Sequence, residues 1–199
     1  MTIFLILAPY GVFATLMMVS SAAVSLFVSA AICLAVVAYD ALRGRSLKLL
    51  GSGSALVFAA LGFYIAVVDS SWSSAQIKLT VDAGMLALAL GSLVMCRPFT
   101  LQYAREAVDA ETAGRPEFVR ANYVITSAWA LAFILMVMAN LLLIYIPSLP
   151  LWTGIAIAFA ARYTALYFTK WYPQYRRLKP PVPPKRNGRC NQPRIALIG

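Results

Sequence analysis

Residues 122–146 read NYVITSAWALAFILMVMANLLLIYI, with no Lys, Arg, Asp or Glu anywhere in the run. A helix needs roughly 20 apolar residues to cross ~30 Å of hydrocarbon, and this stretch is long enough. Working outward from it, runs of the same kind occupy about 3–19, 22–41, 50–69, 76–96 and 150–170. Apolar residues make up 61% of the 199 and charged residues only 12%. A soluble domain of this size has no use for so much apolar surface, because its outside must face water. The reading is an all-α, polytopic integral membrane protein, a bundle of six transmembrane helices over residues 1–170. Ser20-Ser21 is the one turn available between the first two runs. If the first segment is re-entrant instead, five spans remain and the N-terminus moves outside.

Charge orients the bundle. Arg43, Arg45 and Lys48 follow the second run; Arg97, Arg105, Arg115 and Arg120 follow the fourth. Lys170, Arg176, Arg177, Lys179, Lys185, Arg186, Arg189 and Arg194 close the chain, and Lys78 stands alone on the opposite side. Short loops rich in Lys and Arg stay in the cytoplasm, so both termini are expected there. The net charge of +10 is therefore directed at anionic lipid headgroups, with no nucleic acid called for. The expected headgroup or partner contacts are Arg43, Arg45, Lys48, Arg97, Arg105, Arg176, Arg177, Lys179, Lys185 and Arg186. Trp72, Tyr145 and Trp152 near one boundary, and Tyr39, Trp171 and Tyr172 near the other, suit the membrane interface.

Two segments lie outside the spans. Residues 99–114 read as one amphipathic connector helix on the cytoplasmic side, with Leu101, Ala104 and Val108 on one face. Arg105 and Asp109 fall at i, i+4 spacing, and Gly114 with Pro116 supplies a stop. Residues 179–199 form a Pro-rich basic tail whose Pro180-Pro181-Val182-Pro183-Pro184 favours extended polyproline II.

Residue chemistry narrows function. The chain has no His and seven carboxylates, and Cys33, Cys96 and Cys190 show no paired spacing. No metal, cofactor or catalytic residue is indicated. Gly51-Ser52-Gly53-Ser54 lacks the Gly-Lys-Ser/Thr of a phosphate loop and leads straight into a span. The remaining candidates are polar groups inside the membrane, where an ionisable residue is expensive. Asp82 and Asn140 each lie about six residues from the same boundary, so they share a level. Arg162 lies eight residues before Lys170, ~12 Å from the other boundary. Gly154, Ala158 and Arg162 repeat every fourth residue, a close-packing face that turns Arg162 inward. These three either gather as a site for a substrate or proton, or act separately. In the second case Asn140 bonds across helices, Arg162 snorkels and Asp82 pairs with Lys78 one turn earlier. Small-residue stripes at Ala83, Ala87 and Gly91, and at Ser25, Ser29 and Cys33, are read as helix-packing faces and allow a homo-oligomer.

Several short motifs together resemble the intracellular septation protein A family of bacterial inner-membrane proteins. They are Pro9 in the first span, Lys78-Leu79-Thr80-Val81 opening the fourth and Arg97-Pro98 closing it. In the fifth come Asn122, Trp129-Ala130-Leu131-Ala132-Phe133 and Ala139-Asn140. The stretch Arg97 to Glu106 is closer to a broader set of uncharacterised bacterial membrane proteins. The resemblance covers about residues 1–170. It implies a non-enzymatic inner-membrane scaffold or accessory subunit, working in envelope maintenance or cell division through other membrane proteins. The residue reading keeps a rival open: a small transporter or lipid-handling protein using Asp82, Asn140 and Arg162.

Overall fold

The computed structural model describes residues 2–44, 48–146 and 148–178, and all regular structure in them is helical. Eight helices follow in order: α1 (Thr2–Val19), α2 (Ala22–Leu42), α3 (Leu49–Val67), α4 (Ser74–Val94), α5 (Phe99–Arg105), α6 (Ala110–Gly114), α7 (Pro116–Tyr145) and α8 (Leu151–Leu178).

Local chemistry sets the breaks. The apolar run over the first 41 residues splits at Ser20-Ser21. Ser20 turns its hydroxyl back to the Leu16 carbonyl at 2.9 Å, and Ser21 caps α2 by accepting from the Val24 N–H at 3.4 Å. Helix α4 opens on a capping box. The Ser73 hydroxyl accepts from the Gln76 N–H, and the Gln76 side chain accepts from the Ser73 N–H at 2.8 Å. Pro116 occupies the first position of α7, where its missing N–H costs nothing. That start extends α7 back past Asn122, to 30 residues and so ~45 Å.

Helices α2, α3, α4 and α7 are each long and apolar enough to cross a membrane, which marks the chain as a membrane protein. Pro9–Val19 is a shorter apolar helix. Helix α8 runs past residue 170 to Leu178 and holds Pro173 within it. Packing follows chain order: α1 lies on α2, α2 pairs with α3, α3 meets α4, and α7 sits between α4 and α8. Phe58 of α3 is fully buried at the centre, with the rings of Tyr10 and Phe13 5.4 and 5.3 Å from its own. Large apolar side chains such as Leu56, Phe63, Leu131 and Phe159 point outward. Hydrocarbon is the solvent that suits such a surface.

Two expectations are corrected here. On α4 the stripe Ala83, Ala87, Gly91 does not pack within the bundle: Ala83 and Ala87 are exposed, and a Cβ at Gly91 would meet nothing within 4 Å. The close approach runs through Gly84, where a Cβ would come within 2.9 Å of Val57 on α3. Ser25, Ser29 and Cys33 of α2 are buried. The connector is also two helices, not one. Asp109 does not pair with Arg105. It caps α6, accepting from the Thr112 N–H at 3.0 Å and the Thr112 hydroxyl at 2.8 Å. A side chain that bonds the backbone ahead of it starts a helix and so interrupts the one behind.

Candidate functional site: two ion clusters in the bundle

Asp82, Asn140 and Arg162 come from α4, α7 and α8, and the fold brings all three together. The Asn140 amide donates to Asp82 Oδ2 at 2.8 Å and to the Met136 carbonyl at 3.0 Å. The Arg162 guanidinium donates to Asp82 Oδ1 at 3.4 Å. Asp82 and Asn140 are buried, whereas the Arg162 side chain stays 25% exposed. Lys78 makes no ion pair with Asp82; Arg162 takes that place.

The position of each group follows from its helix. Asp82 sits on the buried face of α4 with Val81, Met85 and Ala89. Asn140 continues the buried face of α7 that carries Phe133, Met136 and Ala139. Gly154 lets α8 approach the Leu143 side chain of α7 closely, which turns the Arg162 face toward the bundle. Tyr10 of α1 completes the surroundings. Arg162 Cζ lies 6.0 Å from its ring centroid, at the limit of a cation–π contact. The Tyr10 hydroxyl donates to Ser54 Oγ of α3 at 2.5 Å and also lies 2.7 Å from Met85 Sδ. The Ser54 hydroxyl in turn donates to the Leu50 carbonyl.

A second cluster, not anticipated from the residue pattern, lies at the basic end. Lys48 Nζ is 2.7 Å from Asp40 Oδ2 and 3.0 Å from Glu106 Oε2, and lies 5.1 Å from the centre of the Tyr103 ring. The Gln102 side chain accepts the Leu49 N–H at 2.8 Å, supplying a first-turn donor of α3 that has no intrahelical partner. Burial, the largest cause, pushes the Tyr103 hydroxyl well above its ordinary value, against the bond to Gly51 that favours the charged form. Lys48 is thus corrected: it is buried between two carboxylates and is not a cation offered to headgroups. The available signal was Asp40, a carboxylate closing an apolar run, which needs a cationic partner.

The other basic residues are placed differently. Arg43, Arg97, Arg105 and Arg176 are exposed, and Arg43 lies over the Tyr39 ring at 4.7 Å. Arg45, Lys179, Lys185, Arg186 and the 179–199 tail lie outside the described residues, as does the side chain of Arg177. Among the described residues no cluster of three or more His, Cys, Asp or Glu is placed to hold a metal ion. Connector α5 is fastened on two further sides. The Thr100 hydroxyl donates to the Asn122 carbonyl at 3.0 Å and bonds Thr126 Oγ1 at 2.7 Å, and Ser92 Oγ accepts the Phe99 N–H at 3.2 Å.

Compared with protein-family models, curated proteins and solved structures, the chain matches none.

Proposed function

We propose that the chain is a bacterial inner-membrane protein that crosses the bilayer six times, α1 and α8 included, with both termini cytoplasmic. It acts without chemistry of its own, as a scaffold or accessory subunit in envelope maintenance or cell division. One observation carries this reading: the interior carboxylates are committed to partners inside the bundle, while the basic end presents free surface. Asp82 uses its oxygens on Asn140 and Arg162, and Lys48 holds Asp40 and Glu106. Arg43, Arg97, Arg105 and Arg176 remain exposed, suited to anionic headgroups and to acidic surfaces of other membrane proteins. The envelope and division role rests on the resemblance to the septation protein A family. Gentle purification of tagged protein from its native membrane, with quantitative mass spectrometry, tests it. Stoichiometric recovery of division or envelope-synthesis subunits supports the scaffold; recovery of the chain alone counts against it.

A second reading is favoured by the incomplete use of Arg162. A guanidinium has five N–H donors; among the described residues this one hydrogen-bonds Asp82 alone, and it stays one-quarter exposed. The cluster would then handle a ligand, as a small transporter or lipid-handling protein. Asp82→Asn would abolish that activity at normal expression, and unchanged activity would reject the reading.

A further inference from the structure

Two cations depart from the basic-end pattern: Lys78, alone on the opposite side, and Arg162, inside the bundle. The fold brings both to one carboxylate. Lys78 stands one helical turn before Asp82 on α4, the spacing that puts two side chains on one face, and Arg162 pairs with Asp82 from α8. Two positive charges therefore face one negative. Asp82 already accepts from Arg162 at Oδ1 and from Asn140 at Oδ2. Among the described residues Lys78 forms no ion pair, and Arg162 bonds nothing but Asp82. Lys78 is part-buried and the Arg162 side chain is one-quarter exposed. A cation left so in a low-dielectric setting calls for a counter-charge.

We propose that Lys78 and Arg162 form a binding site for an anionic phosphate group, reached from the end of the bundle opposite the basic one. The planar guanidinium offers a fork of donors matched to two oxygens of an oxyanion, and the lysine adds a compact charge beside it. Asp82, by its own charge, keeps the site from holding the anion too tightly. The proposal rests on reading the cluster as a ligand site, and deepens it by fixing the ligand's charge. The phosphate belongs either to a phospholipid headgroup or to the free ion.

Purified protein in maltoside micelles separates the two sources. One arm titrates inorganic phosphate by calorimetry; the other adds phosphatidylglycerol and counts retained lipid by native mass spectrometry. One saturable site is expected in one of the arms. Lys78→Gln, which removes no hydrogen bond or ion pair seen among the described residues, should weaken it about tenfold, the scale of one charge-assisted contact. Asp82→Asn should tighten it, because a competing negative charge is gone. Arg162→Lys keeps the charge but loses the fork, and should weaken binding less than Lys78→Gln combined with it. No saturable site in either arm, binding indifferent to Lys78→Gln, or weakening by Asp82→Asn in a protein that still elutes as a folded particle would each overturn the proposal. Vesicle flux is scored separately. Binding without flux keeps the site and rejects transport, whereas flux that survives Lys78→Gln and Arg162→Lys keeps transport and rejects the anion site.

Discussion

The two ion clusters use the same residue types for different ends. At the basic end Lys48 is 3% exposed and gripped by Asp40 and Glu106, all three at helix termini or the turns beside them. Its partners come from α2 and from the end of connector α5, so the cluster fastens a connector beneath the bundle. At Asp82 the groups sit in mid-helix on α4, α7 and α8, where only another helix can supply a partner. That cluster fastens helices to one another and leaves Arg162 with donors to spare. A charge at a span's end can be satisfied by a short loop or by water. A charge within a span must be satisfied across the bundle, which makes it both structurally costly and chemically available.

If that contrast holds, the largest loss should follow Asp82→Ala. It leaves the Arg162 guanidinium without its carboxylate and the Asn140 amide with the Met136 carbonyl but not Asp82. Stability should fall by about 3–5 kcal/mol, the usual cost of removing one partner from a buried ion pair. Asp82→Asn keeps an oxygen for hydrogen bonding and should cost only about 1–3 kcal/mol. Denaturant unfolding in micelles reads both. A loss below ~1 kcal/mol for Asp82→Ala would mean that the cluster does not hold the helices together.

Lys48→Met tests the other side of the comparison. Asp40 and Glu106 lose their shared cation, but the Glu106 side chain is 26% exposed and can recover water. The expected cost is smaller, about 2 kcal/mol, between the buried and exposed limits. It should also be local. Amide exchange should rise across α5 (Phe99–Arg105) while α4 and α7 stay protected. Equal loosening of α7 would erase the distinction between a fastened connector and a fastened bundle.

The two clusters were unequally legible in the sequence. Asp82 and Asn140 could be placed at one level because each is a fixed number of residues from a recognisable span end. Arg162 could be turned inward by its four-residue spacing from Gly154 and Ala158. Helix geometry carries such arguments without knowledge of the neighbours. Lys48 could not be placed this way. Its partner Glu106 lies far along the chain in a connector whose path depends on Asp109 choosing the backbone of Thr112 over the side chain of Arg105. That choice is a competition between two local bonds, which spacing alone does not decide. The stripe Ala83, Ala87, Gly91 misled for a related reason. Small residues permit close approach, but Gly84, one position over, is where Val57 comes in.

Thr100→Val should produce a smaller effect of the same local kind. Its hydroxyl joins α5 to the Asn122 carbonyl and Thr126 of α7. Valine keeps the shape and removes both bonds, for a loss of about 1 kcal/mol. Added to Lys48→Met, it should release α5 more than either change alone, since the two fasten opposite sides of one short helix. Strict additivity would be the sign that α5 is held at independent points.

The smallest effect should come from Asp109, at the exposed start of α6. Bonds from the Thr112 N–H and hydroxyl hold its carboxyl below the usual range. A carboxyl lowered on folding contributes stability that is fully present above its unfolded value, about pH 4, and is lost as pH falls through the lower folded value. Exchange protection of the α6 amides (Ala110–Gly114) should therefore hold down to about pH 4 and fade below it. Asp109→Asn should flatten that dependence, because the amide still accepts the Thr112 N–H but does not titrate. Helix α5 offers a control, since the Asp109 carboxyl spends its bonds on the N–H and hydroxyl of Thr112 in α6. A matching fade across α5 in the Asp109→Asn protein would place the acid sensitivity outside the Asp109 cap, and with it the weaker link of the connector.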